Sequence, residues 1–200
     1  MPDLTNTEPD LRNPSPDGRA PNAEPRTPSA DIIPIMSVAD HRRTSPTEIS
    51  CFVLTISDTR TEANDTSGDA IAGALRGAGH LLAGRRIVRD EPATVRDLVL
   101  EQAGAVDVVI TTGGTGITSR DSTYEAISSL LDKRIDGFGE LFRMLSFPEI
   151  GAAAMMSRAC AGTIARTAVF SLPGSENAVR LAMRELILPE LGHVDRELSR

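Results

Sequence analysis

Thr111-Thr112-Gly113-Gly114-Thr115-Gly116-Ile117-Thr118-Ser119-Arg120-Asp121 gathers the residue types that handle phosphate. Gly113, Gly114 and Gly116 let a backbone approach an anion closely, and Thr111, Thr112, Thr115 and Thr118 add hydroxyl donors. Asp121 puts a carboxylate beside that anion, where repulsion is relieved if a magnesium ion bridges the two. The spacing therefore points to chemistry on a phosphorylated ligand. Two better-known phosphate loops do not fit. The Walker loop closes on Gly-Lys-Ser/Thr, and the sole lysine of the chain is Lys133. The dinucleotide fingerprint requires Gly-x-Gly-x-x-Gly, whereas Gly114-Thr115-Gly116 is followed by Ile117, Thr118 and Ser119. A tight turn that needs glycines for geometry alone is the competing reading, and a helix N-cap is the competing role for Asp121.

These residues need elements to hold them. The apolar run 106–110, broken only by Asp107, reads as a buried parallel strand through Thr112, and a helix begins near Ser122 and runs through Leu131. Residues 51–57 form an earlier buried strand, and a polar loop from Asp58 leads to a helix over 68–77, capped by Asp65 or Ser67. A strand over 85–89 precedes Asp90, and a helix over 94–103 follows. Such alternation predicts an α/β fold, a mostly parallel sheet built from right-handed βαβ units. Ligands of such sheets sit beyond the carboxyl ends of the strands, where Ser57, Asp58, Asp90 and the glycine loop all fall. Farther on, a helix over 138–147 and a small alanine-rich helix over 150–157 are expected. Residues 161–172 read as a short antiparallel hairpin turning at Ala165 and Arg166. Pro173-Gly174-Ser175 then opens a last helix over 176–188, with Ser175 as N-cap and a second glycine junction suited to an anion.

Composition narrows the rest. Nine of 13 prolines fall in residues 1–50, and 15 of 16 glycines fall after them. Residues 1–45 are polar and apolar-poor, so a disordered tail is expected there, with residues 32–36 as a short apolar segment, and a single domain over 46–200. The opening residues resemble neither a secretory signal nor a transit peptide, and no run reaches membrane-spanning length. A soluble, cytoplasmic protein with no membrane partner is the expectation. A net charge of −7 and 3% aromatics argue against nucleic acid. Cys51 and Cys160 are expected as free buried thiols, and the isolated His41, His80 and His193 give no zinc spacing. The apolar segment 138–156 exceeds what a peripheral helix pair needs and suggests a subunit interface.

Together, Ile56-Ser57-Asp58-Thr59, the glycine loop, Arg120-Asp121, Gly137-Phe138-Gly139-Glu140, Ser157-Arg158 and Leu172-Pro173-Gly174-Ser175 resemble the MoaB/MogA family of molybdenum-cofactor biosynthesis proteins. The resemblance spans residues 51–194, with every motif in family order. Asp58-Thr59-Arg60-Thr61 and Ser122-Thr123-Tyr124-Glu125-Ala126 bring it closer to the MoaB branch. It implies a three-layer α/β/α domain, assembled as a homotrimer or dimer of trimers. It also implies Mg-ATP-dependent transfer of AMP onto the terminal phosphate of molybdopterin, with release of pyrophosphate. Asp121 and Asp90 would then be the catalytic carboxylates and magnesium ligands. Thr112, Gly113, Gly114, Thr115, Gly116 and Ser119 would hold phosphates, with Ser57 and Asp58 lining the same pocket. Pro173, Gly174 and Ser175 would lie near the nucleotide, and Glu140, Arg143, Ser157 and Arg158 would contact pterin or phosphate. For Arg143 and Arg158, surface or interface charge is an equal reading. The rival function is a non-catalytic, oligomeric molybdopterin-binding scaffold of the same pathway.

Overall fold

Strand β1 (Ser50–Ile56) alternates Phe52, Leu54 and Ile56 to one face of a sheet with Cys51 and Val53 to the other, and both faces are buried. Only a central strand covered by helices on both sides uses its apolar residues this way. The structure is a computed structural model that describes residues 48–119 and 121–200. The tail expected at 1–45, its segment 32–36 and Arg120 lie outside the described residues.

After β1 come α1 (Thr66–Gly77), β2 (Leu81–Val88), α2 (Pro92–Ala103), β3 (Val108–Thr112), α3 (Thr123–Ser128) and β4 (Lys133–Arg134). Then follow α4 (Asp136–Ile150), a 3-10 segment (Gly151–Met156), β5 (Cys160–Ile164), β6 (Thr167–Leu172), α5 (Glu176–Ala182), a π turn (Met183–Ile187) and α6 (Leu188–Leu198). One six-stranded sheet is ordered β2-β1-β3-β6-β5-β4. The pairs β1/β2, β1/β3 and β3/β6 are parallel, while β5 runs antiparallel to both β6 and β4. Ile71 and Leu75 of α1, Phe138 and Phe142 of α4, and Val179, Ile187 and Leu191 of the last helical stretch pack one face. Val95 and Val99 of α2 and Ile127 of α3 pack the other. The expected three-layer, mostly parallel α/β/α arrangement with a short antiparallel part is the fold observed.

Several expected boundaries move. β2 begins at Leu81, four residues ahead of expectation, because it pairs with β1 from Ser50↔Leu81 onward. Gly84 sits inside that strand because a Cβ there would meet the Phe52 ring at 2.9 Å. β3 starts at Val108, two residues later than expected, and α2 starts at Pro92, two residues earlier. The helix after the glycine loop stops at Ser128 instead of Leu131, and the two-residue β4 was not expected. Gly162 admits β4, since a Cβ there would collide with the Lys133 carbonyl. α4 reaches Ile150 with Pro148 in its last turn, and the alanine-rich helix is a 3-10 segment entered through Gly151 at φ +59°. The last helix does not end at Leu188. It passes Pro189 through the π turn and continues to Leu198, because proline fits the first turn of a helical stretch. Cys51 and Cys160 are free and buried, as expected. Burial pushes their thiols up, to about 12 and about 11, so neither serves as a nucleophile at neutral pH.

Candidate active site

β2 pairs on one side of β1 and β3 on the other, so the chain leaves the two central strands toward opposite faces. α1 covers one face and α3 the other. A crevice opens at that switch point beyond the carboxyl ends of the strands, and the glycine loop lies there. Gly113 takes φ +103° and Gly114 φ +63°. A Cβ on Gly113 would collide with the Ile56 carbonyl, so only glycine lets β3 turn this close to the end of β1.

Neighbouring loops are tied to this turn. The Gly113 amide donates to the Leu172 carbonyl at 3.0 Å, and Thr112 Oγ1 donates to the Pro173 carbonyl at 2.9 Å. Ser67 Oγ donates to the Gly174 carbonyl at 2.7 Å, joining α1 to the loop after β6. Ser175 caps α5 by accepting from the Ala178 amide at 3.4 Å, as its sequence position suggested. Ser57 Oγ accepts from the amides of Thr59 and Arg60, both at 3.2 Å, which folds the loop after β1 back over itself.

The resulting cleft measures about 540 Å³. Ser57, residues 113–116, Asp121, Ser157 and residues 173–175 line its polar side. Phe142, Ile150, Ala153 and Met156 form an apolar wall opposite. Among the described residues, the amides of Gly114 and Thr115 have no acceptor, so they remain available to an anion. An apolar wall in one cleft with amides that meet no acceptor among the described residues suits a ring system that carries phosphate.

The two candidate carboxylates flank the loop at different depths. Asp121 Oδ2 accepts from the Thr118 amide at 2.9 Å and from Thr118 Oγ1 at 2.5 Å. Hydrogen bonding by the Thr118 hydroxyl, aided by its amide, the Arg158 charge and the Gly116 amide, outweighs burial and holds the Asp121 carboxyl below its usual range. Ser122, not Asp121, occupies the N-cap position of α3. Asp90 Oδ1 accepts from Ser122 Oγ at 3.0 Å and Thr123 Oγ1 at 3.1 Å. A Cβ on Gly114 would lie 2.5 Å from Asp90 Oδ2, and one on Gly116 would lie 2.5 Å from Asp121 Oδ2. Asp121 lines the cleft, whereas Asp90 stands behind the loop. Among the described residues no group of three or more potential ligands assembles. That donor set suits magnesium, which is held by one or two carboxylates and completed by substrate phosphates and water.

A second cleft of about 400 Å³ adjoins the first and shares Ser157 with it. Glu140, Arg143, Ser157 and Arg158 all line it, so the structure gathers the four residues expected at pterin or phosphate. Arg134, Asp136 and Tyr124 join them without having been expected there. Arg143 donates weakly to the Ser157 carbonyl at 3.4 Å. Arg158 is more committed: Nε donates to the Thr115 carbonyl at 3.0 Å, Nη2 to the carbonyls of Gly116 and Asp121, and Nη1 pairs with Glu125. Asp58 and Ser119 are exposed and line neither cleft. The apolar wall falls in the segment 138–156, whose apolar excess the sequence offers as helix packing and a subunit interface, not as a cleft lining. Its trace in the sequence is the i, i+4 row Phe142-Ser146-Ile150, whose serine interrupts an otherwise apolar stripe.

Residues 52–193 match the family described as probable molybdopterin binding domain. Molybdenum cofactor biosynthesis protein B of Bacillus cereus is 55% identical over 168 residues, covering 82% of this chain and 99% of that protein. The crystal structure of a molybdenum cofactor biosynthesis protein B is 56% identical with a TM-score of 0.76, covering 78% of this chain and 99% of that one. The tungsten cofactor synthesizing protein MoaB from Pyrococcus furiosus is 39% identical with a TM-score of 0.71, covering 78% and 100% respectively. Motif order, sheet topology and these similarities agree, and the chain belongs to the MoaB/MogA family of molybdenum-cofactor biosynthesis proteins.

Proposed function

We propose that the protein adenylylates molybdopterin with Mg-ATP and releases pyrophosphate. The observation that carries this reading is the glycine loop itself. Its unpaired Gly114 and Thr115 amides and the ionised Asp121 share one cleft with an apolar wall broad enough for a ring. In the reaction an oxygen of the terminal molybdopterin phosphate attacks the α-phosphorus of ATP. The bond between that phosphorus and the bridging oxygen to the β-phosphate breaks, and pyrophosphate leaves with the bonding electrons. No side-chain nucleophile is needed, which suits a chain whose two cysteines are buried free thiols.

The loop amides and the Thr115 hydroxyl orient the phosphates, which is the larger part of phosphoryl-transfer catalysis, while the buried Thr112 hydroxyl ties the loop to the Pro173 carbonyl instead. Asp121, with Asp90 behind the loop, would hold magnesium, which supplies charge neutralisation at the transferring phosphoryl when bound. The apolar wall of Phe142, Ile150 and Met156 excludes water from one side of that phosphoryl group. We assign the second cleft, with Glu140 and Arg143, to the more polar portion of the two substrates. We place the activity in the cytoplasm, where two separate free thiols remain reduced. Among the described residues no helix is long and apolar enough to cross a membrane.

A binding or scaffold role is the second reading, favoured by one observation: Thr118 already occupies Asp121 Oδ2. Both readings include self-association. Leu141, Met144, Phe147, Ile150 and Met155 are exposed along α4 and the 3-10 segment, and this apolar surface suits a symmetric interface between copies. The deciding experiment is anaerobic turnover of purified protein with molybdopterin and Mg-ATP, following adenylylated product and pyrophosphate. Molybdopterin-dependent product is expected. Its absence, beside an active adenylyltransferase given the same preparation, would leave the scaffold.

A further inference from the structure

Arg158 is half-buried, at 23% exposure, and stands between the two clefts. Its guanidinium carbon lies 4.9 Å from the centroid of the Tyr124 ring, and Glu125 pairs with Nη1. The remaining donors converge on three carbonyls of one loop, those of Thr115, Gly116 and Asp121. With Glu125 these make four acceptors on a planar fork of five N–H donors, one more than the three donors of a compact ammonium can serve.

The consequence follows from peptide geometry. In a trans peptide the carbonyl and the following N–H point in opposite directions. Drawing the Thr115 and Gly116 carbonyls toward Arg158 therefore turns the Gly116 and Ile117 amides away from it, the Gly116 amide toward Asp121. It also fixes Thr115, whose own amide, with that of Gly114, meets no acceptor among the described residues. The loop has little order of its own. Gly113 and Gly114 occupy positive φ, and among the described residues the bonds closing it from within all run to Asp121, from the Gly116 amide and from Thr118.

We propose that Arg158 is a positioning residue, which holds the glycine loop in its anion-accepting shape through the Thr115, Gly116 and Asp121 carbonyls without touching the ligand. This rests on the phosphate reading of the loop. The test compares wild type, R158A and R158K by hydrogen exchange over residues 113–119 and by calorimetric titration with magnesium and inorganic pyrophosphate. R158A is expected to exchange about tenfold faster in the loop and to bind pyrophosphate about tenfold more weakly, consistent with losing several charge-assisted bonds at once. Methylguanidine added to R158A should restore both at unchanged melting temperature, and R158K should fall between. Wild-type exchange in R158A overturns the proposal, and so does lost affinity with an unaltered loop, which would mark direct ligand contact. If R158A does not fold, R158Q takes its place with the same outcomes. If the wild-type protein ignores pyrophosphate, the phosphate reading falls, and the exchange comparison alone decides whether Arg158 orders the loop.

Discussion

Asp121→Asn separates charge from shape at the centre of the cleft. The carboxyl is held below its usual range, first by the Thr118 hydroxyl, so it is ionised at neutral pH and the substitution removes a full charge. An asparagine oxygen in the same place can still accept from the Thr118 amide and hydroxyl, now 2.9 Å and 2.5 Å from Oδ2. What is lost locally is charge assistance to exposed bonds, costing about 1 kcal/mol of stability. At a transferring phosphoryl group, one preorganised electrostatic contact is worth about 2.7–4 kcal/mol, or about 100- to 1000-fold in turnover. The two effects therefore differ enough to be told apart. The assay is anaerobic adenylylation at saturating Mg-ATP, paired with denaturant unfolding of the same preparations. Turnover within about threefold of wild type would refute the catalytic role, since so small a change is under 1 kcal/mol. So would a loss of activity matched by an equal loss of stability.

Gly113→Ala should cost about 2–4 kcal/mol in denaturant unfolding, because alanine resists φ +103° and its Cβ meets the Ile56 carbonyl. A cost under about 0.5 kcal/mol would show that the turn relaxes easily. Burial pushes the buried Asp65 carboxyl up, but bonds from Thr55, Gly68 and Arg85 outweigh it and hold it below its ordinary value. Its stabilisation is therefore present above the unfolded pKa of about 3.9 and is lost as pH falls through the lower folded value. Asp65→Asn should flatten that acid limb and cost about 2–3 kcal/mol at pH 7, since among the described residues Arg85 keeps exposed Asp69 as its carboxylate partner, beside the backbone carbonyl of residue 65. An unchanged acid limb in urea titrations between pH 2 and 5, about two units around the unfolded value, would discount this network. On the apolar surface, Met144→Glu with Phe147→Glu should shift sedimentation toward the 21.3 kDa monomer. A wild-type protein already monomeric at micromolar concentration would end the interface idea.

How far the sequence alone reaches depends on whether the signal is local. β1, β6 and the glycine loop are legible because their apolar runs and glycines answer to strand burial and to positive φ at their own positions. The Ser175 cap and the two buried thiols are of the same kind. β4 and the first half of β2 are not legible, because their strand character comes from the neighbours they pair with. The same holds at the site. Topology predicts that Ser57, Asp58, Asp90 and the glycine loop converge, and the family resemblance adds Asp121 and residues 173–175. The fold then set their depths, with Asp121 lining the cleft and Asp90 bonded to Ser122 and Thr123 behind the loop. Arg158 shows the limit most plainly. Its motif marked it for the site, yet a lone arginine reads equally as a ligand contact or as surface charge. Which it is depends on what lies 42 and 43 residues earlier in the chain, where the Gly116 and Thr115 carbonyls accept its bonds. The sequence by itself determined the fold class and the family, since both are written in local pattern, residue type and motif order. Tertiary structure decided which side chains touch the cleft and which hold its shape, because contacts between residues distant in the chain exist only once the sheet has brought its strand ends together.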